Sequence, residues 1–116
     1  MRPTLSTHVL DAAQGRPAVG IEVAVLAAAG EEALAHAVTD DDGRVRFPDD
    51  TLPGPGTYRL VFATGPWFAA ADRPTLFPAV ELVVQLGTEP DIEPARPHHH
   101  VALLLSPFAY TTYRGS

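Results

Sequence analysis

Two stretches of the chain hold most of its reactive side chains. His98-His99-His100 leads into the apolar run Val101-Ala102-Leu103-Leu104-Leu105, and the sequence closes on Tyr113-Arg114-Gly115-Ser116. Side chains alternate between the two faces of a strand, so His98 and His100 share one face and His99 takes the other. Imidazole ionises at about pH 6.5, which suits it to move protons during a hydrolysis. A further imidazole, His8, stands far upstream in Ser6-Thr7-His8-Val9. Arg44 follows the turn Asp41-Asp42-Gly43. Its planar fork of donors suits a carboxylate or a polarised carbonyl. If the end of the chain is folded in, Arg114 and the α-carboxylate of Ser116 become fixed charges close to these rings.

Plainer readings stand beside that one. The histidine run could be part of an expression tag, although tags sit at termini and this run enters a strand. It could be an incidental surface feature. His8 could be a structural histidine bonded to a carbonyl, Arg44 a solvated strand-end cation, Arg114 a salt-bridge partner and Tyr113 an edge aromatic. A zinc site is also open. His-x-His on a strand is a ligand geometry, and His8 could supply the third ligand.

Composition narrows the field. The 116 residues suit one domain spanning 1–116, and 46% hydrophobic against 19% charged residues argues against disorder. Fourteen acids against eight arginines and no lysine give a net charge of −6, which repels phosphate backbones and argues against nucleic-acid binding. There is no cysteine, so disulfides and thiolate nucleophiles are excluded. No apolar signal stretch opens the chain and no run reaches membrane-spanning length. The expectation is a soluble cytoplasmic protein without a membrane partner.

Short strands separated by turn residues must position the candidate groups, and they predict an all-β sandwich or barrel. Strands are predicted over 5–10, 21–27, 33–39, 44–47, 57–64, 79–86, 98–106 and 110–115. In the first, Leu5, Thr7 and Val9 face one way and Ser6, His8 and Leu10 the other. Residues 11–20 and 87–97 read as loops. One helix is predicted over 65–72, with Pro66 at its first turn and Pro74 ending it.

Several separated motifs together resemble one known family. They are Leu5-Ser6-Thr7-His8-Val9-Leu10-Asp11, Gly15-Arg16-Pro17-Ala18, Asp42-Gly43-Arg44, Phe62-Ala63-Thr64-Gly65, His98-His99-His100-Val101 and the closing Leu104-Leu105-Ser106-Pro107-Phe108-Ala109-Tyr110-Thr111-Thr112-Tyr113-Arg114-Gly115-Ser116. The chain resembles the 5-hydroxyisourate hydrolases, the transthyretin-related enzymes of urate and purine breakdown. The Tyr-Arg-Gly-Ser ending separates these hydrolases from transthyretin itself. Three positions depart from the family pattern. His99 and Trp67 stand where Tyr is common, and Ala102 where Pro is usual.

The resemblance implies a transthyretin-like (prealbumin) sandwich of two four-stranded sheets with one short helix, assembled as a homotetramer with its sites between dimers. It implies cofactor-free, metal-free hydrolysis of 5-hydroxyisourate to 2-oxo-4-hydroxy-4-carboxy-5-ureidoimidazoline. Carried over by position, His8, Arg44, His100 and Ser116 are the expected catalytic groups. Tyr113, Arg114 and Gly115 are the expected substrate-binding groups, with His98 behind them. Either His8 or His100 could activate water. The competing expectations are a transthyretin-like binding protein that does no chemistry and a zinc hydrolase built on His8, His98 and His100.

Overall fold

Period-two alternation builds both layers of the molecule. The computed structural model describes residues 2–87 and 98–115. In β1 (Thr4–Asp11), Leu5, Thr7, Val9 and Asp11 are buried, while Thr4, Ser6, His8 and Leu10 are half-buried on the opposite face. β8 (His98–Ser106) runs parallel to β1 along its whole length, pairing Thr4 with His98 through Asp11 with Leu105. β9 (Ala109–Gly115) folds back on β8 as an antiparallel hairpin. Two short strands follow each other along the other edge of β1. β5 (Arg44–Arg46) pairs with Ser6–His8, and β2 (Arg16–Pro17) pairs with Leu10 and Asp11. β2 lies inside the stretch that reads as loop in the sequence. It brings this sheet to five strands, against the four expected.

The second sheet has the four expected strands, in the order β4 (Ala33–Val38), β3 (Glu22–Ala27), β6 (Gly56–Phe62), β7 (Val80–Leu86). All its pairs are antiparallel, with one register shift between β3 and β4 at Val25/Leu26. The core fills the space between the sheets. Leu5, Val9, Val101, Leu103 and Leu105 come from one side, and Val23, Val25, Leu60, Phe62, Val80 and Leu86 from the other. Phe47, Leu52 and Phe68 close it from the connections. Among the described residues no helix is long and apolar enough to cross a membrane. The loop expected over 87–97 lies outside the described residues apart from Gly87.

The helix α1 (Thr64–Ala70) begins one residue earlier and ends two earlier than its sequence suggests. Gly65 is required at its start, because a Cβ there would collide with the Pro78 backbone. Its end is set by geometry two residues ahead of Pro74. Asp72 takes the left-handed conformation (φ 55°). The Asp72 N–H donates to Ala69 O at 3.0 Å and the Arg73 N–H to Phe68 O at 3.0 Å, the double closure that ends many helices.

That closure aims Arg73 across the sheet end. Its guanidinium donates to Asp11 Oδ2 at 2.7 Å and lies 4.9 Å from the Phe68 ring centre. Asp11 also accepts the N–H groups of Ala13 (3.1 Å) and Gln14 (3.0 Å), which shapes the turn after β1. Burial alone would raise the Asp11 carboxyl. The Arg73 and backbone hydrogen bonds outweigh it and hold the group below its ordinary 3.8. Replacing Asp11 with Ala strands the Arg73 charge and two N–H groups. Asp11→Ala is expected to cost about 3 kcal/mol of stability, read by denaturant unfolding at fixed protein concentration.

Candidate active site

The outer face of the first sheet gathers most of the candidate reactive groups, and register decides which side chains meet there. Across β5, β1, β8 and β9, one row runs Arg46, Ser6, His100, Gly115. The next row runs Arg44, His8, Ala102, Tyr113. Below them Thr4 faces His98. His8 and His100 are diagonal neighbours, with ring centres 6.3 Å apart and planes tilted by 34°. Ala102 is the small residue between His8 and Tyr113 in the second row. Residues 92 or more apart in sequence thus share one surface.

Hydroxyl groups hold two of the imidazoles. Thr4 Oγ1 is hydrogen-bonded to His98 Nδ1 at 2.7 Å. Ser6 Oγ is hydrogen-bonded to His98 Nε2 at 2.8 Å and to His100 Nδ1 at 2.7 Å. Among the described residues, His100 is held through Nδ1. Arg46 sets its guanidinium 3.3 Å from His98 Nδ1 and is itself paired with Asp49 at 3.1 Å. Partial burial, then Arg44, His8 and His98 in that order, holds His100 below the ordinary imidazole value of 6.5. Burial and Arg46 do the same for His98, with Asp49 opposing. His100 is therefore neutral at pH 7 and able to accept a proton.

A local turn delivers Arg44. The Asp40 carboxylate accepts the N–H of Asp42 at 2.9 Å and that of Arg44 at 2.9 Å. The Gly43 N–H donates to Asp40 O at 2.8 Å. Gly43 has φ +74°, and the Val9 backbone leaves no room for a Cβ. The Arg44 N–H is the main cause that holds the Asp40 carboxyl below 3.8. Arg44 leaves this turn directly opposite His8.

The closing segment divides between the two faces. Gly115 lies under the His100 ring, where any Cβ would strike Cδ2. Its place in the site is to make room for the imidazole. Tyr113 shares the outer face, 53% exposed. Arg114 does not join the site within this chain. It pairs with Val101, so alternation turns it to the other face, where it lines a cavity with His99, Val84 and Leu86. Ser116, the remaining expected catalytic residue, lies outside the described residues. His99 points away from the site as expected. It is 2% exposed and accepts the Gly87 N–H on Nε2 at 3.0 Å.

Sequence reasoning overlooked Ser6, Thr4 and Arg46. Ser6 was legible only as a same-face neighbour of His8. Its bridging position depends on the parallel pairing of β1 with β8, which no local pattern announces. The zinc arrangement of His8, His98 and His100 is not what the geometry favours. Both nitrogens of His98 and Nδ1 of His100 are engaged with hydroxyls.

The profile of the HIUase/Transthyretin family matches residues 5–115. The chain belongs to this family. A 5-hydroxyisourate hydrolase from Caulobacter vibrioides is 42% identical to it over 114 residues, 97% of each chain. The structure of Klebsiella pneumoniae 5-hydroxyisourate hydrolase is 38% identical and superposes with a TM-score of 0.82, covering 97% of this chain and 99% of the other. Sea bream transthyretin, solved with thyroxine, is 32% identical with a TM-score of 0.79, covering 96% and 93%. The transthyretin-like sandwich expected from the sequence is thus the observed fold.

For this HIUase/Transthyretin family member, the contact of Gly115 with His100 is directly testable. A methyl group at 115 must push the imidazole off its position, and a shift of about 1 Å at a reacting group can cost about 10²-fold in rate. Gly115→Ala is expected to lower turnover by about that factor while the circular dichroism spectrum stays unchanged.

Proposed function

We propose that the protein is a 5-hydroxyisourate hydrolase that opens the six-membered ring of its substrate by adding water to a ring carbonyl. One observation carries the reading beyond the family relationship. Two imidazoles 6.3 Å apart share an open sheet face with Arg44. One of the two, His100, is held neutral by burial and by its cationic neighbours. A protein that only held a ligand would have no need of that arrangement.

The chemistry follows from the positions. His100 takes a proton from water as the oxygen adds to the carbonyl carbon. Arg44 binds the carbonyl oxygen and stabilises its developing negative charge. His8, one row along and opposite Arg44, returns a proton to the ring nitrogen as the C–N bond breaks. The products of that step are a carboxylate and an N–H on the former ring. Every group in this scheme is a side chain of the chain itself, and no cofactor enters it. Tyr113 forms the wall beyond Ala102.

The assembly we propose is a homotetramer in which a second copy covers this face. Phe108 and Tyr113 are 66% and 53% exposed on the β8–β9 hairpin, and Leu76 nearby is 66% exposed. Large apolar groups left in the open suit contact with another chain. Cover would also exclude water and strengthen the charge interactions of Arg44. Light scattering on the purified protein is expected to give the mass of four chains.

Decay of the ultraviolet absorbance of freshly generated 5-hydroxyisourate measures the activity. His8→Ala and His100→Ala are each expected to lower kcat by about 10²–10⁴-fold. Full turnover in both variants would overturn the reading. The pH profile has a definite sign. A base held below 6.5 loses activity only as pH falls through its lowered value. The acid limb of kcat/KM is therefore expected to have its midpoint below pH 6.5.

A further inference from the structure

Ser6 stands between two imidazoles, and the scheme above makes no use of it. Its hydroxyl has one proton to give and lone pairs to receive. With rings at 2.8 and 2.7 Å, it donates to one and accepts from the other. A neutral imidazole likewise has one N–H and one bare nitrogen. Thr4, His98, Ser6 and His100 therefore form a line that can be filled in two ways, all bonds pointing one way or all the other.

In the first filling, His100 Nδ1–H donates to Ser6, Ser6 donates to His98 Nε2, and His98 Nδ1–H donates to Thr4. His100 Nε2 is then bare and basic. In the second, Thr4 donates to His98, His98 to Ser6 and Ser6 to His100. His100 Nε2 then carries a proton. The two fillings are the base and acid forms of the same residue, and neither leaves a charge on a ring.

We propose that Ser6 and His98 form a proton relay behind His100. As Nε2 takes a proton from water, the Nδ1 proton passes to Ser6, the Ser6 proton to His98 Nε2, and the His98 Nδ1 proton to Thr4. The Thr4 hydroxyl proton leaves to solvent. One proton enters at Nε2 and one leaves at Thr4, so every member ends neutral. Running the line backward resets His100 by delivering its Nε2 proton to an acceptor in the site. This inference rests on the reading of His100 as the water-activating base.

The surroundings favour a neutral relay over a stored imidazolium. Among the described residues, Arg44 from β5, His8 from β1 and His98 from β8 are the charged or titratable groups that face His100. Arg46 of β5 lies 3.3–3.4 Å from both nitrogens of His98, and Asp49 beyond it only partly offsets that cation. A positive charge placed on either ring meets a guanidinium, and transfer through Ser6 avoids placing it there. Ser6 and His98 act through His100. They are positioning residues, bonded to one another and through Ser6 to His100.

Turnover measured in mixtures of light and heavy water tests the relay. Several protons moving together give a curved dependence of kcat on deuterium fraction in the unaltered protein. Ser6→Ala is expected to give a straight line, with kcat lower by about 10²-fold and KM little changed. Ser6→Thr keeps the hydroxyl and is expected to restore both rate and curvature. A straight line in the unaltered protein, or Ser6→Ala turning over at the full rate, would overturn the proposal. Nitrogen-15 NMR of the unaltered protein decides the case if Ser6→Ala does not fold. Head-to-tail filling puts His98 and His100 in the same tautomer, and opposite tautomers would refute it. Failure of the unaltered protein to hydrolyse 5-hydroxyisourate would instead sink the hydrolase reading, which separates the two ideas.

Discussion

The parallel ladder between β1 and β8 is the constraint on which the rest depends. It sets Ser6 against His100 and Thr4 against His98 from opposite ends of the chain. The same ladder buries Leu5, Val9, Leu103 and Leu105 on its inner face, and Thr7 Oγ1 donates to Val101 O at 2.7 Å within the core. A slip of one residue would carry those apolar groups to the outside and turn Ser6 and His8 inward. Hydrophobic burial on one face therefore holds the register of the reacting groups on the other.

Charge arrangement then determines what the imidazoles can do. Among the described residues, His100 lies beside Arg44, and His98 lies beside Arg46 with Asp49 as a partial counter-charge; both rings are partly withdrawn from water. Each effect penalises the protonated ring, so they reinforce one another. The result is a pair of rings suited to receive protons at neutral pH, held in line by hydroxyls that have no charge of their own. A sandwich of this architecture does not dictate such chemistry. It arises from a handful of side chains on one outer face.

Supporting features sit at either end of that face. Asp40 and Gly43 shape the turn that delivers Arg44 opposite His8. At the far end of β1, Asp11 ties the following turn to Arg73, which the left-handed Asp72 has aimed back at the sheet. Gly115 serves by lacking a side chain, since the His100 ring occupies the space where one would stand.

Local pattern determined a good deal. Alternation in residues 5–10 and the apolar run that follows His98-His99-His100 revealed the strands, and position parity showed which histidines share a face. The Asp-Gly turn before Arg44 was legible because glycine tolerates a left-handed backbone. The Arg16–Pro17 strand was not, since two residues in a Gly- and Pro-rich stretch carry no period. Nor was the end of the helix, where the hydrogen bonds of Asp72 and Arg73 acted before Pro74 could. Tertiary structure alone decided that β1 lies parallel to β8, and with it the bridge from Ser6 to His98 and His100. It also turned Arg114 to the opposite face from the imidazoles. The physical reasons differ: register between β1 and β8, more than ninety residues apart, is set by packing of the whole core and no short stretch of sequence encodes it, whereas the face of Arg114 follows from the β8–β9 hairpin register that sets it against Val101.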